Sequence, residues 1–298
     1  MSTLKARNIR QYLTGPKIAP YVFISPFYIL WAIFGVFPIV YSIWLSLHRV
    51  VGIYKADFVG FYNFREVFLR EDVIKAFYNS IWYAVVNIIG QITIALLIAV
   101  LINSKFVKLK GFFRIGYYVP NMVSTVAAGI LFSILFQTNG LLNMALNTNV
   151  TWLHSTFWSK PVVMAVVGWR WIGYWIIIFS AALQGIPDFF YEAASIDGAN
   201  SFQKFWHITL PSLRHVMLFA VVINTIGGFH LFGEPYIVFT AKQSPVGPLN
   251  SALTPVIAIY KAAFENFELG FAAAIAWVLA IITILATGVQ INLWKKER

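Results

Sequence analysis

The sequence predicts an all-α, polytopic membrane protein with six transmembrane helices, and three observations predict it. Of the 298 residues, 59% are hydrophobic and the mean hydropathy is +0.74. Only 11% are charged, against about 25% in a soluble domain. The apolar residues also form continuous runs, long enough to match the ~20 residues that carry a helix across a bilayer core. They lack the period-2 alternation of membrane strands. A surface this apolar must be covered by lipid.

The spans follow in order. The longest uncharged stretches are Ile18 to Leu47, Ala76 to Ser104, Ile115 to Ser159 and Leu269 to Trp294. The third is long enough for a span plus an outer segment. Pro161 to Leu183 and Leu213 to about Thr240 complete the six, holding one and two formally charged residues respectively. Gly140 to Asn147 has apolar residues at helical spacing and reads either as a short interfacial helix or as an irregular loop. Val59 to Phe68, mixing aromatic and charged residues, is expected along the membrane surface.

The formal charge of +11 comes from 22 Lys+Arg against 11 Asp+Glu. In a soluble protein that excess suggests nucleic acid. Here the basic residues flank apolar runs, so membrane topology accounts for them and no nucleic-acid partner is expected. Lys5, Arg7, Arg10 and Lys17 precede the first span, and Lys105, Lys108, Lys110 and Arg114 follow the second, with no acid in either group. Lys295, Lys296 and Arg298 follow the last span. The alternate connections are balanced: His48 to Lys75 holds five basic and four acidic residues. Both termini are therefore expected in the cytoplasm, with the connection from Gln184 to Arg214 on the same side. The basic start precedes an apolar run too long for a signal peptide and is read as retained. With no cysteine, disulfides and thiolate metal sites are excluded.

The connection from Gln184 to Pro211 is the most informative segment. Pro187 and Asp188 suit the first turn of a helix, by fixed φ and by the positive end of its dipole. Gly198 fits a helix stop that needs a left-handed backbone. Asn200 or Ser201 can cap a second short helix running to about Ile208, and Pro211 can open span five. The loop is rich in aromatics: Phe189, Phe190, Tyr191, Phe202, Phe205 and Trp206. Ala193 and Ala194 leave a low surface for close approach. Two readings stay open, a docking helix for another protein and an amphipathic loop on the protein's own spans or on lipid.

Within the spans, Arg170 lies ten residues beyond Lys160 and Asn224 ten beyond Arg214, so each sits roughly 15 Å deep at ~1.5 Å per residue. That depth is where a transporter holds its solute. Around Arg170 runs Trp169-Arg-Trp171-Ile-Gly173-Tyr174, an aromatic cluster whose rings can stack on sugar faces. Alternatively Arg170 stacks between Trp169 and Trp171 or pairs with a neighbouring subunit. Span five adds Thr225, Gly227, Gly228, His230, Gly233 and Glu234. Its glycines and Pro235 are expected to bend or break the helix near one end. His230 and Glu234, four apart, share a helical face and can pair. Two ligands are too few for a metal site.

Glu192-Ala193-Ala194, then Gly198, then Ile208-Thr-Leu210-Pro211 resembles the conserved loop of ATP-binding-cassette (ABC) importer permeases. The longer string Glu-Ala-Ala-Ser-Ile-Asp197-Gly-Ala, with Phe205, is similar to the carbohydrate, maltose-type branch. Phe58-Val-Gly-Phe-Tyr-Asn-Phe64, Tyr118-Val-Pro120 and Gly270-Phe-Ala-Ala-Ala274 extend the resemblance along most of the chain. The outer loop Ala241-Lys-Gln-Ser-Pro-Val-Gly-Pro248 departs from the compact Gly-Gly-Pro turn of many relatives. The resemblance implies a type I importer transmembrane fold in a bacterial or archaeal cell membrane. It implies residues 1–75 as tail, first helix and outer loop, 76–294 as permease core with a coupling loop at 184–213, and 295–298 as a tail. Glu192, Ala193, Ala194 and Gly198 would contact an ATPase subunit, with Asp197 nearby, while Ile208, Leu210 and Pro211 support the loop. Gly173 and Asn224 match the sugar site residue for residue. The implied partners are a second, different permease, two ATPase subunits carrying ATP and magnesium, and an extracytoplasmic solute-binding protein.

Energy must come from elsewhere. No glycine is followed by lysine, so the chain has no phosphate-binding loop of the Gly-Lys-Ser/Thr kind and binds no cofactor by that route. Spans one, two, three and six hold no Asp or Glu, which leaves little for a proton relay. No catalytic set is visible, so the chain is not expected to be an enzyme. The expected function is import of a sugar or oligosaccharide. A polyol, glycerol-phosphate or acidic-sugar importer is the alternative, followed by a self-sufficient secondary transporter or a membrane enzyme acting on lipid-linked sugars.

Overall fold

The computed structural model describes residues 18–51, 55–104, 106–240 and 246–296. Lys5, Arg7, Arg10, Lys17, Lys105, Ala241 to Pro245, Glu297 and Arg298 lie outside the described residues.

The elements in chain order are α1 (Ala19–Ser46), a hairpin of β1 (His48–Val51) and β2 (Lys55–Phe58), α2 (Tyr62–Val67), α3 (Glu71–Asn103), α4 (Lys110–Met122), α5 (Thr125–Leu135) and α6 (Leu141–Leu146). There follow α7 (Ser159–Gln184), α8 (Asp188–Ile196), α9 (201–212), α10 (Arg214–Phe229), α11 (Gly233–Thr240), α12 (255–265) and α13 (Leu269–Lys296). Among the described residues, five segments are long and apolar enough to cross a membrane: α1, α3, α7, α10 with α11, and α13.

The sixth expected span is not a straight helix. α4 and α5 meet at a 92° bend. Val123 and Ser124 are extended there (ψ 133° and 139°), and the Ser124 side chain accepts from the Val126 amide to start α5. Pro120 lies inside α4, whose last residue is Met122, so the proline is not itself the break. Hydropathy cannot register such a bend, because apolar residues continue through it.

The described residues are all-α as expected, apart from one short antiparallel hairpin that pairs His48 with Phe58 and Val51 with Lys55. Two other expectations are corrected. The second span begins at Glu71 rather than Ala76, since Glu71 and Asp72 sit favourably at a helix N-terminus. Pro211 does not open span five: α9 continues through it, and the chain turns at Leu213 before α10 starts at Arg214. The segment expected at Gly140 to Asn147 is helical, and Asn147 ends α6 in the left-handed region at φ 51°.

α7 is central. It packs along α4 and the second half of α3, while α10 lies across the first half of α3 and α11 against α5. One buried cluster joins Val162, Val163 and Val166 to Phe132, Val238 and Ile257. A second, nearer the α8–α9 loop, joins Ala95 and Ala99 to Ile176, Phe179 and Leu213. Alanines on α3 let α7 approach closely, and in lipid such close fit supplies the attraction that water exclusion supplies elsewhere. Gly173 serves the same purpose against α4: a Cβ there would overlap the Tyr117 carbonyl.

Two stretches named above for their resemblance pack together, although some 200 residues separate them. Buried Asn63 donates to the carbonyls of Ser46 and His48, both at 2.9 Å. The His48 carbonyl in turn abuts Gly270 with no room for a side chain. Arg70 binds Glu268 through two hydrogen bonds of 2.8 and 3.0 Å and lies 4.0 Å from the Phe271 ring centre. That carboxylate holds the Arg70 guanidinium above its ordinary pKa, against partial burial, which acts the other way. α1 is different: its most apolar stretch buries nothing within the chain, and Trp277 of α13 donates to its Ser42 at 3.2 Å.

Candidate functional site

Near the middle of the spans α3, α5, α7, α10 and α11 enclose a cavity of ≈ 600 Å³, within the roughly 300–1,000 Å³ usual for small-molecule sites. α7 turns Arg170, Trp171 and Tyr174 toward it, and α10 contributes Asn224, Gly227 and His230. Glu234 comes from the first turn of α11. These seven expected residues therefore share one space.

The other expected residues do not line it. Trp169 packs on Phe132, ring centres 5.5 Å apart. Gly173 faces α4. Thr225 is buried and accepts from Gln290 of α13 at 2.7 Å. Successive helical residues point about 100° apart, so neighbours of a lining residue commonly face elsewhere.

The expected pairing of His230 with Glu234 is not formed. The helix stops after Phe229 and resumes at Gly233, and an i,i+4 pair needs a continuous helix. His230 is exposed, with Nδ1 3.1 Å from the Ile226 carbonyl oxygen. Glu234 instead pairs with Arg170, Oε1 to Nη1 at 2.5 Å, with both side chains less than one tenth exposed. The predicted break in span five is what makes this possible, because it turns Glu234 toward α7. Arg170 is thus neither sandwiched between Trp169 and Trp171 nor left for a neighbouring subunit, although its guanidinium carbon lies 5.9 Å from the Trp171 ring centre.

Two amide side chains of the lining escaped the sequence reading. Asn87 and Gln91, in the middle of α3, are 3% and 4% exposed, and Gln91 donates to the Asn87 side-chain oxygen at 2.8 Å. The signal was two amides four apart in an otherwise apolar run, a spacing that puts both on one face.

The second centre is the loop after α7. α8 ends in a Schellman motif: the Ala199 amide donates to Ala194 and the Gly198 amide to Ser195, at 2.8 and 3.2 Å. Gly198 has φ +82°, which a side chain disfavours. Asn200 then starts α9 with a full capping box, exchanging hydrogen bonds with Gln203 at 2.8 and 2.9 Å. Tyr191 meets Thr209 at 3.0 Å, and Lys204 donates to Ser195 at 2.6 Å. Ile208 and Leu210 reach into the core beside Leu213, whereas Pro211 is exposed. Glu192, Ala193, Asp197 and Gly198 are all exposed, with Ala194 partly so. Ile196 is 88% exposed, Phe202 71% and Phe189 59%, so these side chains are not covered by the protein's own spans.

A helical bundle with a mid-span cavity and a rigid loop projecting from two spans describes a membrane permease. The particular family follows from comparison with known proteins. Residues 91–296 match the family of the binding-protein-dependent transport system inner membrane component. The arabinooligosaccharides transport system permease protein AraP of Halalkalibacterium halodurans is 35% identical over 298 residues, 98% of this chain and 92% of that protein. The lactose transport system permease protein LacF of Rhizobium radiobacter is 31% identical, covering 97% of each chain. A bacterial ABC transporter that imports the acidic polysaccharide alginate has the same fold, with TM-score 0.81 at 21% identity over 99% of both chains. This chain belongs to the binding-protein-dependent inner-membrane permease family. It is a multi-pass permease subunit of an ABC importer, in a family of transport subunits rather than enzymes.

Proposed function

We propose that this permease forms the path for a sugar or oligosaccharide brought by an extracytoplasmic binding protein. The cavity carries this reading. Trp171 and Tyr174 offer ring faces for the apolar sides of a sugar, and Asn87, Gln91 and Asn224 offer amides for its hydroxyls. The names of the arabinooligosaccharide and lactose relatives agree with it.

In the same reading residues 76–294 are the permease core, and the 184–213 loop is a coupling helix seated in a cytoplasmic ATPase subunit. Its rigid mounting supports this: α8 and α9 are locked to each other and, through Leu213, to α7 and α10. Two ATPases supply ATP and magnesium, a different permease completes the cavity, and both termini lie in the cytoplasm, as the basic flanks of the spans indicate. Nucleotide-driven closure of the ATPases moves the loop, and α7 and α10 rock around the solute.

The test is uptake of labelled arabinotriose or lactose into proteoliposomes bearing the full complex and binding protein. Uptake should require internal ATP and fall at least about tenfold in Asn224→Leu, the scale of losing ~1.4 kcal/mol of binding. Uptake by this chain alone, with no hydrolase present, would contradict the proposal.

A further inference from the structure

We infer that Glu234 makes this cavity selective for uncharged solutes, by cancelling Arg170, and that Gln91 and Arg170 together read a hydroxyl group. The inference rests on the sugar reading above and narrows it to neutral sugars rather than uronates, sulfonates or phosphate esters.

The charge argument comes first. Among the described residues, Arg170 is the only Lys or Arg lining the cavity and Glu234 the only carboxylate, and they bind each other. An isolated guanidinium at this depth would attract an anion strongly. Paired, it presents no net charge, and an incoming carboxylate or phosphate would have to displace Glu234 and leave it buried and unpaired, which is costly. His230, the remaining basic side chain on the wall, lies at the exposed side.

The hydrogen-bonding argument is independent. Two buried polar atoms of the cavity residues have no partner among the described residues: Gln91 Oε1, an acceptor, and Arg170 Nε, a donor. Gln91 is 4% exposed and Arg170 8%, and orphaned groups at such burial need an explanation. Both atoms are closed to solvent in this conformation, so they become available once Gln91 and Arg170 turn toward the solute. A hydroxyl both donates and accepts and can then satisfy both. An ionised carboxylate or phosphate oxygen only accepts. It can serve Arg170 Nε but faces Gln91 Oε1 as one acceptor against another.

The experiment uses the complex of this chain with its partner permease and ATPase subunits in nanodiscs, without binding protein. Affinities are read from tryptophan fluorescence, since Trp171 and Trp175 line the cavity. Probes are arabinotriose and lactose as neutral sugars, trigalacturonate and glucose 6-phosphate as anions. The complex should bind at least one neutral probe about tenfold or more tighter than either anion, a gap of ~1.4 kcal/mol. Glu234→Gln should erase that preference, and Arg170→Gln combined with Glu234→Gln should restore most of it. Gln91→Leu should weaken neutral binding about tenfold, again on the scale of ~1.4 kcal/mol. If Glu234→Gln does not assemble, His230→Lys adds a positive charge to the same wall and should narrow the preference likewise. Preference for an anion in the unaltered complex, or a ratio unmoved by the added positive charge, overturns the inference while leaving the sugar reading intact. Binding of no probe at all overturns both.

Discussion

The Tyr191 hydroxyl lies 3.0 Å from the Thr209 hydroxyl, and Thr209 is only 6% exposed. This contact joins the exposed helix α8 to the part of α9 embedded against the bundle, so a push on one is felt by the other. Tyr191→Phe should remove about 1 kcal/mol of that connection. We expect faster deuterium exchange in α8 and a several-fold loss of solute-stimulated ATP hydrolysis, with basal hydrolysis unchanged. Equal exchange and full stimulation would show that the loop is braced elsewhere.

Gly198→Ala forces a Cβ into φ +82°, at a cost of roughly 1–2 kcal/mol. There is open space around the position, so the cost is conformational and the bundle itself should fold. The expected result is a normal membrane yield of permease but poor co-purification of the ATPase. Retention of full ATPase binding would mean the sharp turn is not part of that contact.

Glu192→Lys changes an exposed charge at a point that makes no ion pair among the described residues. Its effect on the stability of this chain should stay within about 0.5 kcal/mol, as for surface substitutions generally. Any large loss of transport, read by sugar uptake in cells, must then come from a partner.

Gly173→Leu places a side chain where the Tyr117 carbonyl already sits. Overpacking of this kind costs typically 1–3 kcal/mol or more. The purified complex should lose thermal stability in a melting assay. Solute binding by the surviving folded fraction should be little changed, because Gly173 faces α4 and not the cavity.

Arg70→Met removes both hydrogen bonds to Glu268. The pair is partly exposed, with side chains 36% and 39% accessible, so the loss should be near 1 kcal/mol rather than the larger cost of a buried pair. Limited proteolysis should cut sooner between α2 and α3 or just before α13, while mid-span solute affinity holds.

Much of this protein is written locally. Continuous apolar runs require helices wherever backbone groups must be satisfied in lipid, so α1, α3, α7 and α13 are legible from hydropathy. The turn at Gly198 and the cap at Asn200 are equally local, since a left-handed stop and an N-cap need only the residues beside them. The break in span five was visible in its glycines and Pro235 for the same reason.

Three matters were decided by the tertiary structure alone. Arg170 and Glu234 stand 64 residues apart, and only the packing of α11 against α5 and α7 brings them together, whereas the sequence suggested His230 as the partner. Asn87 and Gln91 share a helical face by their spacing, but that this face meets the same space as Asn224 appears only when α3 is packed. Thr225, one residue from Asn224, points away to Gln290. Sequence specifies which segments enter the membrane because hydropathy sums along the chain. Which faces meet depends on close fit between helices far apart in that chain, and no run of neighbouring residues contains that information.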